Sequence, residues 1–330
     1  MDDYQRGGWD PSLGAGGGTA LVFDERVCTA PDLRGSLYVW PEGILFVGEH
    51  VRSEPHRHFT ASLFFAMSGS LRIRVEPKAE WCETRAALIA PNVMQEMDAS
   101  GCQLVNLQID PESDAYARVA PRLLFGPVHP LPDSLADELS TRARAMLREP
   151  AWSPARLWDV ALALVGGAPR ARCHFDPRIE HVLDRLKREV LSPPTAVNLA
   201  RTVGLSEGRL LHLFSEEVGV PLRRYILWLR LRQVVYGWAL TRSLTEAAHA
   251  AGFADSAHLS RTFRSMYGLR PSDVFRSDGR VALVAGFPSR GLRGPHASHD
   301  GPLWAHAAAA LATADGVRAE DEDHRWLPLG

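Results

Sequence analysis

"GFADSAHLSRTFRSMYGLRP" (Gly252–Pro271) reads as a turn followed by a helix. Leu259, Phe263 and Met266 recur at i, i+4 and i+7, the spacing of a buried helical stripe. Ala257, Ser260, Arg261 and Arg264 lie on another face. Asp255 or Ser256 can cap the start, and Gly268 can end the helix. An ordinary surface helix with a solvated basic face would look the same, so the decision rests on what surrounds it.

A second copy lies upstream. "LARTVGLSEGRLLHLFSEEVGVP" (Leu199–Pro221) aligns with "AAHAAGFADSAHLSRTFRSMYGLRP" (Ala247–Pro271). Ala200 matches Ala248, Gly204 matches Gly252, Leu205 matches Phe253 and Leu211 matches Leu259. After one inserted residue, Phe214 matches Phe263 and Gly219 matches Gly268. Each copy places a small residue four before a glycine, then an apolar plug, then a helix cap. The small residue permits close helix approach, and the glycine permits the positive φ of a tight turn. That is the grammar of a helix-turn-helix, whose second helix enters the DNA major groove. One copy is weak evidence; a repeat points to a shared physical task. Between the copies, "PLRRYILWLRLRQVVYGWAL" (Pro221–Leu240) predicts a long helix opened by proline, with Leu222, Ile226 and Leu229 as an apolar stripe. Some 18 helical residues span about 27 Å, close to the ~34 Å between successive major-groove faces. Arg223, Arg224, Arg230 and Arg232 cluster along this helix, as phosphate contacts or as solvated charges.

Charge is distributed to match. The chain carries a net −2, but Arg178 to Arg276 holds 15 Lys/Arg against 9 Asp/Glu, a net +6 that leaves −8 elsewhere. A basic segment in an acidic protein suits a polyanion-binding module.

Residues from about Asp176 to Arg276 resemble the DNA-binding domain of AraC-type transcription regulators. The resemblance is carried by "LARTVGLSEGRLLHLF", "GVPLRRYILWLRLRQV" and "SLTEAAHAAGFADSAHLSRTFRSMYGLRPSDVFR". It implies seven helices bearing two helix-turn-helix units on double-stranded DNA. It places base-reading positions on Gly208, Leu211 and His212, with Arg209 adjacent, and on Ser256, Ala257, Ser260 and Arg261. Arg261 has the fork for guanine O6/N7, and Leu211 can meet only a thymine methyl. His212 suits a base or a phosphate, Arg264 a phosphate. Glu207 would repel phosphate but could accept from cytosine N4. Phe214, Phe253 and Phe263 read as core.

Upstream, from about Leu21 to Ile109, the text predicts strands. "GILFVGEHV", "ASLFFAMSGSLRIRVEP", "RAALIAPNV" and "CQLVNLQID" are short apolar or alternating runs broken by Gly, Pro and Asn, as in a small barrel or sandwich. His56 and His58, one residue apart, would share one face of a strand. This HxH resembles the first motif of cupin barrels, which AraC-type regulators often carry as an effector domain. A metal-binding cupin also wants a glutamate four or five residues later, where this chain has Ser62 and Leu63. It also wants a further histidine, where the comparable place is near Gln95. Two imidazoles alone make a poor site for metals that take three or more protein ligands, so the sequence implies no metal and no cofactor. The histidines fit an effector contact or structural hydrogen bonds. Trp40, Phe46, Phe64 and Trp81 could line a barrel interior or simply form core.

Helices are predicted from Ser134, Ser153 and Asp176, with a boundary near residues 168–174. The resulting architecture is α+β with two domains: an N-terminal cupin-like β-barrel plus helices, and a C-terminal all-α double helix-turn-helix. Its segments are a disordered 1–20, a barrel over 21–125, a helical linker or dimerisation segment over 126–170, the DNA-binding domain over 176–276 and a disordered tail over 277–330, with one Ala-rich helix near 304–312. No apolar run approaches the ~18–20 residues of a membrane span, and the acidic, Gly-rich start is unlike a signal peptide. The cytoplasm is therefore the expected compartment, without a membrane partner. Cys28, Cys82, Cys102 and Cys173 lack CxxC spacing and read as reduced thiols.

The function expected is a DNA-binding regulator responsive to a small-molecule effector. The family resemblance adds a homodimer and contact with RNA polymerase. The rival readings are a cupin oxygenase or isomerase fused to the helices, and an architectural DNA-binding protein without a ligand. No GxSxG, P-loop or dinucleotide fingerprint supports an enzyme.

Overall fold

The computed structural model describes residues 33–40, 43–76, 78–124, 126–149, 153–166, 175–276 and 280–285. The expectations for the two termini, for Cys28 and Cys173 and for the boundary at 168–174 fall outside these residues. The chain divides into two compact units that do not follow sequence order. Within the described residues, the first unit holds 33–35, 45–166 and 263–281, and the second holds 36–44, 175–262 and 282–285.

Nine strands and ten helices are described. The strands are β1 (Arg34–Trp40), β2 (Gly43–Arg52), β3 (Ala61–Ser68), β4 (Leu71–Arg74), β5 (Cys82–Thr84), β6 (Ala86–Ile89), β7 (Glu96–Ile109), β8 (Val128–Pro130) and β9 (Val281–Ala285). In the first unit β3 lies between β6 and β7, all antiparallel, and β8 extends the sheet beyond β6. β4 pairs with β7 and β5. The hydrogen-bonded path is open among the described residues, so the expected barrel is a cupin-like sheet that does not close.

Register explains the two faces of this sheet. Leu63 stands opposite Leu107 and Leu88, and Phe65 opposite Val105 and Ala86, giving one apolar face. The alternate residues give a mixed face: Ser62 opposite Gln108 and Ile89, and Phe64 opposite Asn106 and Ala87. β3 is buried on both sides from Ala61 to Met67, which is why its run "ASLFFAM" lacks polar alternation. Three helices accompany the sheet: α1 (Asp114–Leu123), α2 (Asp133–Leu147) and α3 (Pro154–Gly166). α2 packs on β3, and α3 packs on α1 and α2. The sequence reading missed α1, because Pro121 sits inside it. Ser113 nevertheless caps its start by accepting from the Tyr116 amide. α2 starts at Asp133, with Pro132 and not Ser134 in the cap position.

Seven helices follow, as the family resemblance implied: α4 (Pro177–Arg188), α5 (Ala196–Thr202), α6 (Glu207–Val218), α7 (Leu222–Thr241), α8 (Leu244–Ala250), α9 (Ser256–Tyr267) and α10 (Pro271–Val274). α7 organises the second unit. Its first half buries Leu222, Tyr225, Trp228 and Leu229, and every residue from Leu231 to Trp238 is buried. The predicted stripe of Leu222, Ile226 and Leu229 was thus too narrow. The Tyr225 ring stacks edge-on against Phe214 of α6 at 5.5 Å, so the first helix-turn-helix is seated on α7. Arg232 is 7% exposed. It donates to the Trp40 carbonyl and lies over the Trp228 ring at 4.8 Å. It is therefore a structural arginine, unavailable to phosphate.

The two helix-turn-helix turns are the same motif. Gly204 has φ 67° and Gly252 φ 79°. The Leu205 amide reaches back to the Ala200 carbonyl, and the Phe253 amide to the Ala248 carbonyl, each at 3.0 Å. Gly204 and Gly252 amides bond to the Arg201 and His249 carbonyls. This is the Schellman termination of a helix. The turn at Gly204 separates backbone strain from packing: an added Cβ there meets nothing within 4 Å. Gly204→Ala should therefore cost about 1–2 kcal/mol through the positive φ alone. Gly208→Ala, in α6 and equally unobstructed, should be neutral or stabilising by about 0.5 kcal/mol. Denaturant midpoints with unchanged m-values test the contrast.

Candidate nucleic-acid interface and buried polar site

α6 and α9 are built alike. Ser206 caps α6 by accepting from the Arg209 amide at 3.3 Å. Asp255, not Ser256, caps α9 by accepting from the His258 amide at 2.6 Å. That bond is the main cause holding the Asp255 carboxyl below its ordinary range. α6 buries Leu210, Leu213 and Phe214, and α9 buries Leu259, Phe263 and Met266. The remaining faces are open. Glu207, Gly208, Arg209, Leu211 and His212 are exposed on α6, and Ser256, Ala257, Ser260, Arg261 and Arg264 on α9. Leu211 stands out as an exposed large apolar side chain on a helix that has a core to bury it in. His212 lies 3.9 Å from Glu216, one turn on. Arg264 is engaged by Glu54. Along α7, Arg223 is exposed and Arg230 partly buried. The Arg230 guanidinium lies 3.4 Å from where a Cβ on Gly252 would sit. Burial lowers its pKa.

The histidine pair forms a second site in the first unit. His56 and His58 lie in the connection between β2 and β3 rather than inside a strand. Their rings nonetheless stack, with centroids 5.2 Å apart. His56 Nδ1 donates to the Glu54 carbonyl at 2.8 Å. The His58 ring meets Thr60 Oγ1 at 3.0 Å, Ser62 Oγ at 3.2 Å and Gln95 Nε2 at 2.5 Å. Ser62 and Gln95 are the two places where the cupin pattern wants glutamate and histidine. At those two places this chain supplies a hydroxyl and an amide, and both reach the His58 ring. The His56 and His58 rings are already engaged by Glu54, Thr60, Ser62 and Gln95. Among the described residues no cluster of three His, Cys, Asp or Glu exists that could hold a metal.

The same sheet face supplies residues the sequence reading overlooked. Gln108 and Asn106 of β7 stand opposite Ser62 and Phe64. Gln108 Oε1, Asn106 Oδ1 and Gln95 Oε1 are buried and have no hydrogen-bond partner. Orphaned amide groups of this kind are costly unless something binds them. The alternation in "VNLQI" was the available signal, since polar residues at period 2 in a strand buried on both faces need partners inside. Phe64 belongs to this face with Ser62. Trp81 does not join it: Trp81 stacks under Arg72 and Arg74, at 5.4 and 4.7 Å, and these arginines pair with Asp98 and Glu96 of β7. Trp40 is buried within the second unit.

Burial of His56 pushes its pKa down to about 4, against a smaller upward pull from the Glu54 carbonyl. The unfolded chain then binds a proton that the folded chain refuses between about pH 6.5 and 4. Stability should therefore be full above about pH 6.5 and fall as pH drops toward 4, by up to about 3 kcal/mol. In chemical denaturation at stepped pH, His56→Asn should flatten this slope relative to the parent.

Comparison with known proteins agrees with the geometry of the helical segment. Residues 199–277 match a family described as a helix-turn-helix domain. Over 71 residues the chain is 35% identical to the transcriptional activator RhrA of Rhizobium meliloti (strain 1021), covering 21% of this chain and 23% of that protein. The match thus spans about a quarter of the relative's length. Among solved structures, ToxT from Vibrio cholerae O395 is similar with a TM-score of 0.47 at 13% identity, over 73% of this chain and 96% of that one. The AraC-like transcriptional activator CuxR is similar with a TM-score of 0.27 at 18% identity, over 63% and 80%. The duplicated turn, the exposed faces of α6 and α9 and the family match together identify residues 199–277 as a helix-turn-helix domain.

Proposed function

We propose that the protein is a sequence-specific, double-stranded-DNA-binding transcription regulator. The observation that carries this reading is the repeat at the level of structure: two Schellman turns, each followed by a capped helix with one buried and one open face. In this reading α6 and α9 each enter a major groove. α7 has 20 residues, about 30 Å of helix, and links two units that read half-sites about one helical turn apart. Arg209, Leu211 and His212 read one block, and Ser256, Ser260 and Arg261 the other. Gly208 and Ala257 allow close approach but donate no side-chain hydrogen bond. Glu207 accepts from cytosine.

A small molecule bound at the polar face of the sheet modulates this activity. His58, Ser62, Gln95 and Gln108 are the residues that would meet it, with Phe64 beside them and His56 stacked on His58. The unpartnered amide oxygens favour an effector rich in hydrogen-bond donors. The regulator works in the cytoplasm as a homodimer that contacts RNA polymerase, with no catalytic step of its own. The two imidazoles, hydroxyl and amide at the cupin position are a poor donor set for oxygenase or isomerase chemistry.

Selection of bound sequences from random duplexes, at a fixed salt concentration, tests the proposal. Two short blocks about one helical turn apart are expected. Arg261→Ala should erase preference at one base pair of one block, worth about 1–3 kcal/mol, and leave the other block intact. Weak binding without any preference would sink the regulator reading.

A further inference from the structure

Within the first unit, the connection that carries the histidines also grips the end of α9. The Glu54 amide donates to the Gly268 carbonyl at 2.8 Å, and the Arg57 amide to the Ser265 carbonyl at 3.3 Å. The His58 and Tyr267 rings stack at 6.4 Å. Gly268 has φ 64°, and the approach there is so close that a Cβ would lie 2.3 Å from the Glu54 carbonyl oxygen and 2.6 Å from His56 Nδ1. Only glycine fits. Over this contact the Glu54 carboxylate takes Arg264 with both oxygens, one of them 2.6 Å from Nε. The pair is bidentate, the geometry in which an arginine otherwise holds a phosphate. Its members are 45% and 26% exposed at the side chain, so water and other anions can reach it.

Arg264 lies one turn beyond Arg261 on the open face of α9. Its guanidinium is the natural phosphate contact of that helix, and Glu54 fills it with an internal carboxylate. A duplex approaching α9 meets an arginine whose charge the Glu54 carboxylate already offsets. Electrostatic attraction at this position is absent until the pair opens.

We propose that Glu54 is an intramolecular stand-in for DNA phosphate, an autoinhibitory clasp that holds Arg264 and so weakens engagement of α9 with DNA. The proposal rests on the DNA-binding reading above. Opening the clasp adds one phosphate contact, which gives it a signature distinct from a general change in fold.

The test measures binding of the full chain to its selected duplex across a salt series. Glu54→Gln and Glu54→Ala should each tighten binding about 2–5-fold at low salt, the range of an exposed ion pair. Each should also steepen the slope of log K against log salt by about 0.9, one additional phosphate. In an Arg264→Ala background the same changes at Glu54 should yield no gain in affinity and no change of slope. Unfolding midpoints close to the parent's would show that the sheet stands. Parent-like affinity and slope in both Glu54 variants would overturn the clasp alone, as would an equal gain with and without Arg264. If neither the parent nor the Glu54 variants prefer any duplex, the DNA-binding reading falls and the clasp with it.

Discussion

The helical half of the protein depends on one backbone hydrogen bond made twice. When the Leu205 amide reaches back to the Ala200 carbonyl, and the Phe253 amide to that of Ala248, the chain leaves each helix at an angle the bond dictates. Everything downstream inherits that angle. Leu205 is half-buried and Phe253 is buried, the next residues reach a capping side chain, and a new helix starts with a set orientation. Ala200 and Ala248 are 1% and 0% exposed. A larger side chain at either place would overpack the helix junction. The motif therefore needs a small residue for its volume, the carbonyl being common to every residue, while the glycine supplies the positive φ that completes the loop.

The sheet obeys a different constraint. Its apolar face is self-sufficient, with leucines opposite leucines across three strands. Its other face is not. Ser62, Gln95, Gln108, Asn106 and His58 have been placed where hydrocarbon would have been cheaper, and several of their polar atoms lack a partner. A fold keeps such groups where function repays their desolvation. Ser62 and Gln95 stand where the cupin pattern expects ionisable metal ligands, and both are neutral.

How much of this was legible depended on whether a feature is local. The turns at Gly204 and Gly252, a cap at Asp255 or Ser256 and the buried stripe of α9 follow from residues a few positions apart, and the sequence shows them plainly, leaving the structure to choose Asp255. The open face of α9 was readable for the same reason, because helical period alone separates Arg261 from Leu259. Strand positions were readable from apolar runs, but closure of a barrel depends on pairing between distant strands, and the path stays open. α1 was hidden by Pro121. The partners of His58 were foreseen as absences, since Ser62 and Gln95 were noted only for not being glutamate and histidine. That they would bond to His58 required the fold. The engagement of Arg264 by Glu54 and of Arg232 by the Trp40 carbonyl joins residues 210 and 192 positions apart and leaves no local trace.

The open faces of α6 and α9 carry one more consequence. Gly208, Leu211, Ser256, Ala257, Ser260 and Arg261 take almost no part in holding the fold, because the buried side chains between them do that work. Substitutions at such positions usually move stability by less than about 0.5 kcal/mol. Under the proposed function, readout by these side chains is thus thermodynamically decoupled from the scaffold. A duplicated gene could drift toward a different operator one side chain at a time, without passing through an unfolded intermediate.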